Sequence, residues 1–310
     1  MNSDDPNWLQ TFAEGGLPQV LAGPAGKAIS RLVGATVEIP ATWLEGIAQG
    51  TRDKTEARTA ISKALATKVA EQAIDNPEAI DRAMKSMLGR AYRSQVNKEA
   101  VAKAAIEDLK TNPDVEDKIG PSDDWMTKFE RYAEDAVDDD MRTMFGRLLA
   151  GEVRKPGTIA PTSLHFVSML EKDVAEIIQR VLPHTFDEGV TILDCLQPEL
   201  SVVEISYLEQ SGFWSAEKSF SLSSSENDRI IRMIRGSMGV VIQTNDTKTV
   251  KFRAALLSRA GRDLLKVVNT PFDFERLGRV LKSKETPHYG YGEMYVEGDR
   301  IIMPQPKMLF

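Results

Sequence analysis

The chain has 310 residues, of which 42% are hydrophobic and 27% charged, and its formal net charge at pH 7 is −7. This composition indicates a folded protein of one large or two ordinary domains and excludes a disordered, collagen-like or coiled-coil chain. A single cysteine, Cys195, and three separated histidines exclude an internal disulfide, a multi-cysteine zinc site and a helical pair of metal-binding histidines. Phosphate-loop, dinucleotide and serine-hydrolase glycine motifs are also missing from the sequence, so no reaction, cofactor or metal is predicted.

Residues 1–40 are interpreted as a separate N-terminal segment. The acidic start argues against a secretory signal, and no run of about 20 apolar residues predicts a transmembrane helix. The stretch 17–37 is small and apolar but is interrupted by proline and glycine. Two interpretations stay open: a loose segment that packs on the next domain, or an interfacial anchor that inserts its apolar side into a membrane.

Residues 41–183 predict a helical bundle domain, because apolar residues recur at helical spacing between short proline-containing or polar breaks. Ser122 and the acidic run 138–140 are typical of helix N-termini, where they satisfy unpaired N–H groups and complement the helix dipole. The predicted helices run over 41–74, 77–92 and 97–110, from Ser122 onward, over 141–153, and from Thr162 or Ser163 to 181.

Residues 184–310 predict a small α+β domain. Strands are expected at 190–193 and 220–222, and helices at 202–208, 228–235, 258–268 and 272–281. The segments 239–244 and 249–254 flank Asn245 and Asp246 and are predicted to pair as a hairpin, and a second hairpin is expected to turn at 298–299. This order is compatible with a winged helix-turn-helix. The predicted fold class is therefore α+β, mainly α, with an N-terminal helical bundle followed by a winged-helix-like domain.

Positive charge is concentrated in one block of the sequence. Residues 184–228 hold nine acids and one basic residue, whereas residues 229–284 hold thirteen Lys and Arg and four acids. On the predicted helix 228–235, three arginines lie opposite an isoleucine-rich arc, and the predicted wing adds three more cations. A local basic surface is what nucleic-acid binding requires. The candidate nucleic-acid or polyanion site consists of Arg229, Arg232, Arg235, Lys248, Lys251 and Arg253.

Other interpretations of this basic block stay open. Its arginines could form a solvated face that pairs with the acidic stretch just before it in the sequence. The same charges could also contact anionic lipid or an acidic protein.

Three stretches stand out as motifs: 149–158 (Leu-Ala-Gly-Glu-Val-Arg-Lys-Pro-Gly-Thr), preceded by Asp124, Trp125 and Phe129; 39–50; and 257–264. Together they resemble a bacterial family, the domain of unknown function 2806, with Ser258 in place of an expected threonine. Groups that share the Leu-Ala-Gly-Glu and Pro-Gly element include some associated with phage abortive infection. The resemblance implies a bacterial cytosolic protein in a defence or mobile-element setting, and it implies no catalytic residues. Physically the element is interpreted as structural, with Gly151 allowing close approach of a neighbouring helix.

Three functional hypotheses follow. The first is a non-enzymatic binding protein, in anti-phage defence, that uses the C-terminal basic face on DNA or another polyanion and its helical domain for a protein partner or self-association. The second is a membrane-associated defence effector that uses residues 17–37 on anionic lipid. The third is an enzyme with an unrecognised site. A cytoplasmic protein, with or without peripheral contact at the inner face of the membrane, is expected.

Overall fold

The computed structural model describes residues 23–34, 77–111, 119–214, 218–224, 229–244, 249–268, 270–284, 286–297 and 300–310. The fold is α+β and mainly α, as the sequence predicts. The chain divides into two compact units, Met1–Ile159 and Ala160–Phe310, so that residues 160–183 belong to the second unit and not to the first. The predicted helix over 41–74 lies outside the described residues.

The described part of the first unit is helical. Its helices are α1 (Pro24–Val33), α2 (Pro77–Thr111), α3 (Asp123–Glu134) and α4 (Asp139–Arg154). The prediction of two helices over 77–92 and 97–110 is wrong, because both ranges belong to the continuous helix α2. The polar residue Asn97 is tolerated inside this helix because it is buried and bonded to other helices: its amide donates to the Glu134 carbonyl and accepts from Arg142, both at 2.8 Å.

Helices α3 and α4 begin at the polar residues that the sequence indicates. The Ser122 hydroxyl accepts a hydrogen bond from the Trp125 N–H at 3.3 Å, and the Asp138 carboxylate accepts one from the Met141 N–H at 2.8 Å. Each side chain satisfies an N–H group that has no partner within its helix. The first residue of the acidic run 138–140 is therefore a helix cap, and Asp139 and Asp140 lie in the first turn of α4, where they complement the helix dipole.

Aromatic side chains of α3 and α4 form the centre of the first unit. Trp125 and Phe129 stack with their ring centroids 5.0 Å apart, and Phe129 meets Phe145 edge-on at 5.9 Å. All three rings are buried. Offset and edge-on pairs of this kind stabilise a core beyond the area that they bury.

Helix α4 passes very close to α2 at Gly146. A Cβ atom at this position would lie 2.5 Å from the Cβ of Ala104 and 2.8 Å from the backbone nitrogen of Ala105. Only a residue without a side chain fits here. The sequence suggested a close helix approach at Gly151, five residues farther along α4, whereas this contact lies at Gly146.

Helix α1 lies within the stretch 17–37 that was considered as a membrane anchor. Its residues Ala25, Ile29 and Leu32 are buried in the first unit. On the exposed side, Arg31 pairs with Glu130 at 2.7 Å and with Asp123 at 2.5 Å. Residues 23–34 thus present no free apolar side to a membrane, and none of the described helices is long and apolar enough to cross one.

The Leu-Ala-Gly-Glu and Pro-Gly element closes a loop at the end of α4. The buried Glu152 carboxylate accepts hydrogen bonds from the backbone N–H groups of Gly157 at 2.6 Å and Ile159 at 2.9 Å. The Ile159 carbonyl in turn accepts a hydrogen bond from the indole N–H of Trp125 at 2.8 Å. Gly157 has φ +82°, a conformation that glycine adopts without strain. These contacts give the element a structural role, as its sequence indicated.

The second unit contains five of the described helices. They are α5 (Pro161–Ser168), α6 (Lys172–Val181), α7 (Val202–Gln210), α8 (Arg259–Val267) and α9 (Phe274–Ser283). The last three confirm the helices predicted near these positions. The single helix predicted from Thr162 or Ser163 to 181 is wrong, because the backbone becomes extended at Glu171 and α6 starts anew. The apolar pattern continues across this break, so the sequence alone did not reveal it.

Nine described strands form antiparallel sheets in the second unit. They are β1 (Val190–Ile192), β2 (Lys218–Ser223), β3 (Ile230–Arg235), β4 (Met238–Gln243), β5 (Thr249–Leu256), β6 (His288–Glu293), β7 (Tyr295–Glu297), β8 (Arg300–Ile302) and β9 (Lys307–Met308). Their order is β1-β5-β2 in one sheet and β3-β4-β6-β9 in another, and β7 pairs with β8. The β7–β8 pairing, with Glu297 opposite Arg300, confirms the predicted hairpin around 298–299.

The two larger sheets and α9 share one hydrophobic core. Inward-facing residues of β3 and β4, such as Ile231 and Ile242, lie in the same cluster as Phe252 of β5 and Leu281 of α9. Residues that alternate with these positions face outward, as the two-residue period of a strand requires. The α+β class is confirmed, whereas the winged-helix detail is not.

The stretch 257–264, one of the three on which the family resemblance rests, also has a structural role. Ser258 caps α8 by accepting a hydrogen bond from the Gly261 N–H at 3.1 Å. A Cβ at Gly261 would lie 2.3 Å from the Phe213 carbonyl oxygen, so the first turn of α8 packs directly against the backbone at Phe213. The fully buried Asp263 carboxylate accepts hydrogen bonds from the Ala160 N–H and the Ser163 hydroxyl, and it thereby ties α8 to the start of α5.

We expect Gly146→Ala to lower the free energy of unfolding by about 1–3 kcal/mol, because the added methyl group overpacks the α2–α4 contact. Gly89→Ala is the matched control, since a Cβ there meets only the Arg93 guanidinium at 3.5 Å. That change should raise the free energy of unfolding by about 0.5–1 kcal/mol, as alanine replaces glycine inside a helix. Urea denaturation of the full chain measures both, and equal or greater stability of Gly146→Ala would contradict the tight contact.

We expect Glu152→Gln to lower the free energy of unfolding by about 1–3 kcal/mol, because an amide offers one acceptor oxygen where two backbone N–H groups need one each. Glu107→Gln, on the exposed side of α2, is the control and should change it by less than about 0.5 kcal/mol. Both are measured by urea denaturation. Equal effects of the two substitutions would show that the loop does not depend on the Glu152 carboxylate.

Candidate anion-binding surfaces

The segment predicted as an arginine-bearing helix over 228–235 is the strand β3, so that prediction is wrong. Ile231 and Met233 are buried, and Arg232 between them is exposed, which is the alternation of a strand. Each residue of β3 pairs with a residue of β4. A short isoleucine-rich run is compatible with both helical and strand periodicity, and here the neighbouring strand decides.

The three arginines of this segment therefore do not share one face. Arg229 precedes β3, with φ +51°, and its carbonyl accepts a hydrogen bond from the Thr244 N–H at 2.8 Å. Arg232 is on the outer side of the sheet. Arg235, at the end of the strand, donates to the Asp187 carboxylate at 3.2 Å and to the Thr270 carbonyl at 3.1 Å, and its side chain is only 12% exposed.

The predicted wing is also wrong. Residues 239–244 lie largely in β4, which pairs with β3 and β6, whereas residues 249–254 lie in β5, which pairs with β1 and β2. Lys251 and Arg253 are exposed on β5, alternating with the buried Val250 and Phe252. Lys248 lies outside the described residues. The proposed basic face is thus divided between strands of two different sheets.

Part of the basic block is neutralised by the acidic stretch that precedes it. Asp194 accepts from Arg253 at 3.0 Å and from Lys284 at 2.9 Å, and Glu199 lies 3.2 Å from Arg253. Arg235 pairs with Asp187 in the same way. These contacts agree with the alternative interpretation in which arginines of the basic block pair with the acidic stretch before it.

Asp194 is held in its charged form by these cations. Burial by itself raises the pKa of this carboxyl, but hydrogen bonds from Lys284 and Arg253 outweigh burial and lower the pKa below its ordinary value. The adjacent Cys195 is fully buried, and burial raises the pKa of its thiol to about 12, so the thiolate form is scarce at neutral pH. Among the described residues, no group of three or more His, Cys, Asp or Glu is placed to hold a metal ion.

A second cationic surface lies in the first unit, in a groove of about 750 Å³ that charge counted along the sequence did not reveal. The groove is bordered by the middle of α2, the C-terminal end of α3, the connection to α4 and the first turn of α4. We call it the arginine groove. Its lining residues are Met87, Arg90, Ala91, Tyr92, Arg93, Ser94, Val96, Asn97, Arg131, Glu134, Asp135, Val137 and Arg142.

The arginines of this groove have two different roles. Arg142 is held in place, since it donates to the Ala136 carbonyl at 3.1 Å, to Asp139 at 2.9 Å and to Asn97. Arg90, Arg93 and Arg131 are exposed, and within the described part of the chain their side chains form no ion pair. These three guanidinium groups are available to an external anion.

The arginine groove also exposes apolar and aromatic surface. Tyr92 is 70% exposed, and Met87 and Val137 are exposed to a similar degree. The acids in the lining are Glu134, which pairs with Lys98 at 3.3 Å, and Asp135. Among the described lining residues the four arginines exceed these two carboxylates, so their local charge is positive in a chain whose net charge is −7.

The sequence does contain a signal for this groove, but charge summed over long stretches of the chain concealed it. Residues 90–93 read Arg-Ala-Tyr-Arg, which places two arginines three residues apart on one side of a helix and an aromatic residue next to the second arginine in the sequence. The first 183 residues, however, carry more acids than bases. Arg131 comes from another helix, so only the packing of α3 against α2 brings the three cations together.

The arginine groove lies within the residues that match a known protein family. Residues 81–190 match the model of a family described as Protein of unknown function (DUF2806), which confirms the resemblance over this part of the chain. The matched range includes the Leu-Ala-Gly-Glu and Pro-Gly element and every residue that lines the groove, whereas the resembling stretches 39–50 and 257–264 lie outside it. Neither a curated protein nor a solved structure matches the chain significantly.

We expect Asp194→Asn to lower the free energy of unfolding at pH 7 by about 1–2 kcal/mol, because Arg253 and Lys284 lose a charged acceptor. Since the folded-state pKa of Asp194 is lowered, its contribution is present above the ordinary carboxyl pKa of about 4 and is lost as the pH falls through the folded value. The difference between variant and wild type should therefore shrink below about pH 4. Urea denaturation across this range measures it, with the exposed-site change Glu176→Gln as control, and a difference that stays constant with pH would contradict the assignment.

Proposed function

We propose that this chain is a non-enzymatic binding protein that holds a polyanion, such as a nucleic acid, in the arginine groove of its first unit. The observation that carries the proposal is the set of three exposed guanidinium groups, of Arg90, Arg93 and Arg131, around a groove of about 750 Å³. This volume is within the range of about 300–1,000 Å³ that ligand sites occupy. A bacterial cytoplasmic setting and a part in anti-phage defence are proposed from the family resemblance.

Guanidinium groups suit a phosphate-bearing ligand. Their planar fork donates two parallel hydrogen bonds to phosphate oxygens, and they keep their charge at any physiological pH. Among the described residues that line the groove, every basic residue is an arginine. The groove therefore offers directed anion contacts in addition to a positive potential.

The basic residues of the second unit support the same function less well. Arg235 and Arg253 already donate to carboxylates of Asp187 and Asp194, so a phosphate would have to displace an internal partner. Displacement would leave a carboxylate near the bound anion, which opposes binding. The free guanidinium groups of the arginine groove carry no such cost.

Binding at the groove should depend on salt. Neutralising about three phosphates by three arginines predicts a slope of log affinity against log salt of roughly −2 for a single strand and −2.7 for a duplex. The test uses the full chain and fluorescein-labelled 12-mer DNA, single-stranded and duplex, in anisotropy titrations from low to physiological salt. We expect salt-dependent binding to at least one form.

The decisive variants remove equal charge from two surfaces. We expect the triple change Arg90→Ala, Arg93→Ala, Arg131→Ala to weaken binding at least tenfold and to flatten the salt slope. The matched control is Arg232→Ala, Lys251→Ala, Arg253→Ala, which should bind within about threefold of wild type. The reverse result would assign binding to the second unit, and failure of the wild type to bind either DNA at low salt would overturn the proposal.

A further inference from the structure

The exposed aromatic side chain distinguishes between the anions that the arginine groove could accept. Tyr92 of α2 lines the groove together with Arg90 and Arg93, and it is 70% exposed. Met87 and Val137, which line the same groove, are exposed to a similar degree. A ligand that fills the groove therefore has to cover apolar surface and neutralise positive charge over the same short distance.

We infer that the ligand is a single-stranded nucleic acid, with a base stacked on the Tyr92 ring and the flanking phosphates bound by Arg90, Arg93 and Arg131. This inference rests on the proposed function and names the chemical class of its ligand. Single strands combine accessible base faces with a phosphate chain, and proteins bind them with aromatic platforms inside positively charged grooves. Arginine adds to such a site because its guanidinium plane also stacks on bases.

A duplex matches this site poorly. Its base faces are stacked on each other, so only base edges and the phosphate chains are accessible. The Tyr92 ring and the apolar residues Met87 and Val137 would then face phosphates and sugars. Burying phosphates against this apolar surface would remove their water without a compensating hydrogen bond, which is unfavourable. A single strand can turn an unstacked base toward the ring and keep its phosphates toward the arginines.

The length of the groove sets the number of nucleotides. Along α2 the lining extends from Met87 to Asn97, which is about 15 Å of helix axis. At roughly 3.4 Å per stacked nucleotide, this length accommodates about four nucleotides. A 12-mer therefore spans the whole site, and a dinucleotide does not.

The experiment compares three labelled probes on the full chain at low salt: a 12-mer single-stranded DNA, the duplex of the same sequence, and a 12-residue poly-glutamate peptide. We expect the single strand to bind at least tenfold more tightly than the duplex and the peptide. Tyr92→Ala should weaken single-strand binding by about fivefold to hundredfold, the range for loss of one base stack, and should leave duplex binding unchanged. Tyr92→Phe keeps the ring and should retain the affinity.

Tyr295→Ala is the matched control, because Tyr295 is also an exposed tyrosine, at 51%, but lies in the second unit. It should leave single-strand binding unchanged. Equal binding of single strand and duplex, or no effect of Tyr92→Ala, would overturn the inference, while loss of binding in the triple arginine variant would still support the proposed function. Tighter binding of poly-glutamate would replace the nucleic acid with an acidic peptide, and absence of binding to all three probes would overturn both proposals.

Discussion

The contact between α2 and α4 is the constraint on which the arginine groove depends. At Gly146 the two helices approach so closely that no side chain fits between them. About one turn closer to the start of α4, Arg142 donates to Asn97 on α2. Asn97 also donates to the Glu134 carbonyl in the last turn of α3. One buried amide therefore connects the middle of α2 to the end of α3 and the start of α4, and the groove is the space that these parts border.

The arginines of the groove have two roles: one stabilises the fold, and the others are available to bind a ligand. Arg142 satisfies the Ala136 carbonyl and the Asn97 amide, so it belongs to the framework. Arg90 and Arg93 occupy the neighbouring exposed part of α2 and extend toward solvent. An anion that binds to them does not have to break an ion pair with any residue that the structure describes, which keeps the cost of binding low.

The second unit uses its charges in the opposite way. Its acidic and basic sequence blocks are joined through Asp194 and Asp187, whose partners Arg253 and Arg235 lie on strands of different sheets. Such pairs anchor the loops next to β1 to the sheets. These paired arginines thus differ from Arg90, Arg93 and Arg131 of the groove, which form no ion pair within the described part of the chain.

Local features of the chain were determined by the sequence itself. Ser122 and Asp138 begin helices because their oxygens accept backbone N–H groups within one turn, and helices α7, α8 and α9 follow from local apolar spacing. The structural role of the Leu-Ala-Gly-Glu and Pro-Gly element could also be inferred, because proline and glycine restrict the backbone locally.

Long-range partners were decided only by the tertiary structure. The run 230–235 is a strand because β4 supplies its hydrogen bonds, and α2 continues through Asn97 because Glu134 and Arg142 satisfy that amide. Whether an arginine is free or paired likewise depends on carboxylates distant in sequence, as Arg253 and Asp194 show. Charge counted along the chain therefore identified the cations of the second unit, while the packing of α3 on α2 created the groove in the first.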